Sequence, residues 1–183
     1  MYTLYDVFPE TVIVHDKEYS INTDFRCVLN LIDILEKENG DSNILAAILS
    51  MYDEVPEDTE AAIFAIGQFI MGDEGGEAEE RINAKKTISF SKDAPYILSD
   101  YLRFYQIDLT QVEYLHWRKF RLLLDGLPED SEMKKRIYYR GLDAGKIKDK
   151  AERDRVLRIQ KNIFLENTEA DAERIGELFG GLM

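Results

Sequence analysis

The chain has 183 residues, 45% of them apolar, and carries 23 Lys and Arg against 36 Asp and Glu, a net charge of −13 at pH 7. Nine Phe, ten Tyr and one Trp exceed what a solvated chain uses, so the composition excludes a disordered tail and can supply a core for one domain, with or without an appendage. The single cysteine, Cys27, excludes an intrachain disulfide framework and any site built from several thiolates, and the acidic balance disfavours nucleic acid and anionic lipid. No stretch reaches the ~18 uninterrupted apolar residues of a membrane helix. The start, Met1-Tyr-Thr-Leu-Tyr-Asp-Val, lacks the cationic end and apolar run of an export signal, so a soluble, cytoplasmic protein is expected.

The one clear strand signal lies in the first 22 residues. Val12-Ile-Val14 and Lys17-Glu-Tyr19-Ser-Ile21 flank the polar pair His15-Asp16, as the two arms of a hairpin flank its turn. From Thr23 the period changes to that of a helix, with Phe25, Val28, Leu29, Ile32 and Leu35 on one face, Thr23 or Asp24 as cap and Asn39-Gly40 as stop. A second helix starts at Asp41 or Ser42 and carries Ile44, Leu45, Ile48, Leu49 and Tyr52; a third, after Pro56, carries Ala62, Ile63, Ile66 and Ile70. Three amphipathic helices in succession must bury their stripes together.

Between Asp53 and Glu80 there are ten acidic residues and no Lys or Arg, and the last part, 72–80, which mixes glycine with like charge, reads as a hinge or exposed linker. Beyond it, Ile88-Ser-Phe90 reads as a short extended piece. Ser91 or Asp93 then caps a helix with Pro95 in its first turn and Ile97, Leu98, Tyr101, Phe104 and Tyr105 on its apolar face. Thr110 opens a helix with His116, Trp117, Phe120, Leu123, Leu124 and Leu127 in one stripe, ended by Gly126 and Pro128. From Lys134 to Lys161 eleven Lys and Arg face four acids, a local net of +7, across two helices near 131–140 and 149–165, the second with Val156, Ile159, Ile163 and Phe164 on one side. Ala172, Ile175, Phe179 and Leu182 recur as a terminal amphipathic helix.

Catalytic chemistry finds little support in this pattern. His116 sits inside an apolar stripe, where a histidine packs and hydrogen-bonds a neighbour, and His15 is a turn residue. Cys27 has no base spaced to activate it, no metal-ligand spacing occurs, and the glycines do not form a phosphate-cradling loop. An enzyme is therefore not expected, and neither a cofactor nor a metal. The basic segment admits three uses: a grip on nucleic acid through Lys134, Lys135, Arg136 and Arg140 with Tyr138 and Tyr139; complementarity to the acidic region 53–80, within the chain or between neighbours; or a solvated helix face.

The runs Ser-Phe-Ser-Lys-Asp-Ala-Pro-Tyr-Ile (89–97), Phe-Tyr-Gln-Ile-Asp-Leu (104–109), Leu-His-Trp-Arg-Lys-Phe (115–120) and Leu-Asp-Gly-Leu-Pro (124–128), in this order and spacing, resemble the bacteriophage gene-product-fifteen family. The resemblance implies a non-enzymatic tail-morphogenesis protein, a chaperone that binds the tape-measure protein, with the tail tube protein as a further contact; the opposite charge poles of the chain suit self-association, and its composition gives no expectation of a membrane or nucleic-acid partner. It makes Tyr105, Ile107, Asp108, Leu109, His116, Trp117 and Phe120 motif residues of structural character. Ile175, Leu178, Phe179 and Leu182 of the terminal helix are candidates for partner binding. The expected fold is mainly α, a helical bundle with a small N-terminal β-hairpin and two helical sub-layers. Its parts are 1–71, hairpin plus helices; 72–87, acidic Gly-rich linker; 88–165, the family-resembling helical region; and 166–183, the terminal amphipathic helix. The alternative function is a nucleic-acid-associated regulatory protein using 134–161.

Overall fold

The computed structural model describes residues 6–37, 41–72 and 87–165, a mostly helical chain with one two-stranded hairpin near its start. It forms two compact units. Among the described residues the first takes 6–72 and 114–121, and the second takes 87–113 and 122–165.

In the first unit β1 (Thr11–Val14) pairs antiparallel with β2 (Lys17–Ser20), Val14 opposite Lys17. His15 and Asp16 both have positive φ, 48° and 63°, which is the backbone a two-residue turn needs to match the strands' twist. Aspartate tolerates this region through its short polar side chain. His15 is held by its ring, whose Nε2 lies 2.7 Å from Asp58 Oδ2, while Asp58 Oδ1 accepts the Ala61 amide and caps α3 (Thr59–Met71). One carboxylate thus ties the hairpin tip to a helix start, and the histidine beside it holds the Asp58 carboxyl below the usual carboxylate range.

Val12 and Val14 turn into the core with Ile21, and β1 packs on α3. Helix α1 (Phe25–Lys37) packs on α2 (Asp41–Leu49), and α2 on α3. The buried stripe of α1 is Phe25, Val28, Leu31 and Leu35. Leu29 and Ile32, expected in it, are half-buried at its margin, because the covered strip follows i, i+3, i+6. Tyr52 lies past the end of α2, bridged to Ile21, and donates its hydroxyl to Ala62 O at 2.7 Å. Burial pushes that phenol up to about 12.

The second unit is built around an ion pair. Asp93, placed where it could cap α4 (Ala94–Asp100), makes no side-chain cap there. It is fully buried and receives Arg140 Nη1 at 2.6 Å and Nη2 at 2.8 Å, with the Ser89 amide at 3.0 Å. Ser89 Oγ accepts from the Lys92 amide instead. Arg140, near the end of α6 (Glu132–Gly141), also donates to Thr87 O at 2.9 Å and Ile163 O at 2.7 Å. A single guanidinium therefore joins the first and last described segments of this unit. Ser131 caps α6, and buried Asp100 adds both its oxygens to the same helix start, accepting from the Met133 amide at 2.9 Å and the Glu132 amide at 3.4 Å.

Several sequence expectations are corrected here. The piece 88–90 is a loop and turn, not a strand. Helix α4 passes into a π turn, Tyr101–Tyr105, whose extra residue per turn rotates the face; Ile97 and Tyr101 are buried, Phe104 and Tyr105 half-buried, and Leu98 is exposed. The helix expected from Thr110 is α5, Trp117–Asp125. Asp108 Oδ1 takes both the amide and hydroxyl of Thr110, which closes a turn in its place, and 115–117 runs extended beside 23–25. In α7 (Lys150–Asn162) Val156 is buried, but Phe164 is 67% exposed, because the helix ends at Asn162 and helical spacing no longer holds. Asn39-Gly40, the linker residues 73–86 and the terminal helix with Ile175, Leu178, Phe179 and Leu182 lie outside the described residues.

Replacing Arg140 with Met should destabilise the protein by about 3–5 kcal/mol, since it strands a buried carboxylate. The Asp93→Leu/Arg140→Met double variant should lose less than the two single changes together, and equilibrium urea unfolding measures the difference.

Candidate functional site

The motif residues fall into two groups, one in each unit. In the first, His116, Trp117 and Phe120 begin α5, and their segment is bonded into the hairpin and helices of the N-terminal region. Trp117 N donates to Thr23 O at 2.7 Å and Phe25 N to Leu115 O at 3.0 Å, a strand-like exchange around the Asp24–His116 bridge. Asp24 reinforces it: Oδ2 accepts the Leu115 amide at 3.3 Å, and both carboxylate oxygens are held by Arg26. Partial burial pushes the Asp24 carboxyl up, but these hydrogen bonds outweigh it and hold the group below its ordinary value.

His116 acts as a helix cap. Its Nδ1 accepts the Arg118 amide at 3.0 Å, so the proton resides on Nε2, which donates to Pro9 O at 3.1 Å. Phe8 stacks on the ring at 5.1 Å and Phe69 meets it edge-on at 6.0 Å. Burial lowers its pKa, and the cap itself needs an unprotonated Nδ1.

Trp117, 2% exposed, stacks on Phe120, which stacks in turn on Phe25, with ring centroids 5.7 and 5.0 Å apart. The indole Nε1 donates to Ile70 O at 3.1 Å, and Arg121 Nη1 reaches Ile70 O and Met71 O. These are carbonyls of the last turn of α3, which have no partner inside their own helix, and the cation of Arg121 suits the negative end of the helix dipole.

In the second unit Tyr105 donates its hydroxyl to Leu123 O at 2.7 Å and meets Tyr101 edge-on at 5.7 Å. Gln106 ends the π turn with φ 56°, Leu109 is buried, Ile107 is half-buried and gives its amide to Tyr101 O, and Asp108 holds the turn through Thr110, which lowers its pKa. A Cβ on Gly126 would stand 3.1 Å from Leu122 O and 3.4 Å from Tyr105 Oη, so glycine permits this close approach.

The structure thus places the seven motif residues at joints of two cores. Asp93, Asp100 and Asp24 were not singled out as joint residues. The first reads as a cap, and the partners of Asp93 and Asp100, 47 and 33 residues away, have no local signature. The basic cluster also changes character. Arg140 is buried in its ion pair, and Arg136 lies 3.4 Å over the Tyr96 ring, so residues 134–140 do not present a continuous cationic surface. Cys27 is half-buried, and burial pushes its thiol up. Among the described residues no three His, Cys, Asp or Glu gather as metal ligands would, and no helix is long and apolar enough to cross a membrane.

A family model described as Bacteriophage Gp15 protein matches residues 4–165. The chain belongs to this phage protein family. No curated protein and no solved structure matches it.

Trp117→Ala should cost about 3–5 kcal/mol, read by denaturant unfolding. The depressed His116 pKa sets a pH dependence: below the unfolded value of about 6.5 the unfolded chain binds the proton more readily. Stability should therefore be full above that pH and decline as pH falls towards the folded value. A series of melting temperatures from pH 7.5 to 5 should fall less steeply for His116→Asn, which keeps a capping side chain but does not titrate.

Proposed function

We propose that this protein is a non-enzymatic tail assembly protein of a phage or prophage, a chaperone that binds the tape-measure protein while tail tube subunits assemble around it. The observation that carries this reading is the Gp15 family match across 4–165. The use of the buried polar side chains supports it. Asp93, Arg140, Asp100 and His116 each hold two or more backbone or side-chain groups of their own unit, so they serve as fasteners of the fold. What is left for other molecules is surface: Leu102 at 56%, Leu122 at 59% and Tyr138 at 59% exposure are large side chains suited to another polypeptide. On this reading the protein works inside the host cell, during assembly.

Co-expression with a tape-measure chain from the same phage or prophage tests the proposal. The tape-measure chain should be recovered soluble and co-purify with this protein, and should precipitate when expressed alone. Equal solubility in both cases, with no co-purification, would overturn the reading.

A further inference from the structure

Charge is distributed unequally between the two units. The described residues of the first hold thirteen Asp and Glu against six Lys and Arg, whereas the second holds twelve against thirteen. Within the first, the connection from α2 to α3 concentrates the excess: Asp53, Glu54, Glu57, Asp58 and Glu60 are all exposed, and Val55 among them is 51% exposed. Lys17, 3.9 Å from Glu54, offsets part of this charge, and His15 hydrogen-bonds Asp58.

Helix α7 is the counterpart. It carries Lys150, Arg153, Arg155, Arg158 and Lys161 against Glu152 and Asp154, and Val156 is its buried residue. Helical spacing puts Lys150, Arg155, Arg158 and Lys161 on the side away from Val156, all exposed, with Leu157 at their margin, 48% exposed. Arg155 reaches Glu152 at 3.3 Å and Arg158 reaches Asp154 O at 3.3 Å, contacts on the helix's own surface that leave its net charge at +3. A helix this exposed has more of its circumference available than its own unit covers.

We infer that α7 is an interface for a second copy of this chain, whose acidic 53–60 connection it receives. An exposed apolar residue accompanies each charged segment, Leu157 at the margin of the basic face of α7 and Val55 within the acidic connection, so apolar contact can add to the charge pairing. Because the two surfaces are different patches of one chain, the contact is head-to-tail, and each copy that donates its acidic connection still presents a basic helix to the next. Two chains of charge −13 repel at long range, so local complementarity has to exceed that repulsion. This inference stands independently of a tape-measure client.

The test is sedimentation velocity on the full chain over a range of protein concentrations, in about 20 mM and about 500 mM salt, on either side of the range where screening matters. Concentration-dependent assembly in low salt should weaken at least about tenfold in high salt. Arg155→Glu/Arg158→Glu and Glu54→Lys/Glu57→Lys should each abolish it. Mixing the two variants, or combining all four changes in one chain, should restore it, which a fold defect in either variant would not do. A wild-type chain that stays monomeric in low salt, including through contact between its own two surfaces, would overturn the inference. So would assembly that persists in high salt or is indifferent to the reversals.

Discussion

A guanidinium withdrawn from water must have its charge balanced and its donors filled, and in the second unit that requirement organises everything around Arg140. Four of its hydrogen bonds go to the Asp93 carboxylate and the carbonyls of Thr87 and Ile163, so the cation fixes where the unit begins, where α4 starts and where α7 finishes. A buried ion pair is a weak source of net stability, but it is selective about geometry: few other arrangements of these segments satisfy the same atoms. Asp100 repeats the device at the other end of α6, where both carboxylate oxygens receive amides of the helix start.

Among its described residues the first unit solves a related problem at its helix ends without a buried ion pair. The end of α3 leaves carbonyls without helical partners, and Trp117 and Arg121 supply them from α5. The start of α5 in turn lacks acceptors for its first amides, and His116 supplies one. Helix ends are thus closed by side chains from elsewhere in the sequence, which couples each joint to the packing of aromatic rings around it.

Local chemistry was legible in the sequence where local chemistry decides the outcome. The hairpin with His15-Asp16 at its turn, the helix at 150–162 with Val156 on its buried side, and the stop at Gly126 follow from β-branched alternation, helical spacing and turn residues, whereas the caps Ser131 and Asp149 emerge only from the structure. What could not be read is what depends on distant partners. Asp93 has the sequence context of a cap, since Pro95 follows, yet a cation 47 residues away claims its oxygens. The region 110–116 has helical spacing, yet 110–112 closes a turn on Asp108 and 115–117 pairs with residues 23–25 as an extended segment, because Thr23, Asp24 and Phe25 offer backbone partners that periodicity does not reveal. Of the motif residues, the sequence located Trp117 and Phe120 in a buried stripe but not the carbonyls and rings they meet.

The inclusion of 114–121 in the first unit bears on the order in which the chain can mature during synthesis. Residues 6–72 contain the hairpin and three helices, but the last turn of α3 and the amide of Phe25 receive partners that are translated more than forty residues after α3 ends. The N-terminal core therefore cannot close while only its own helices have left the ribosome, and its completion waits until the segment through Arg121 emerges. The start of the second unit, from residue 87 onwards, is already outside by then, so the second core begins to emerge before the first has its last partners, although its own last described segment, bonded to Arg140, follows later.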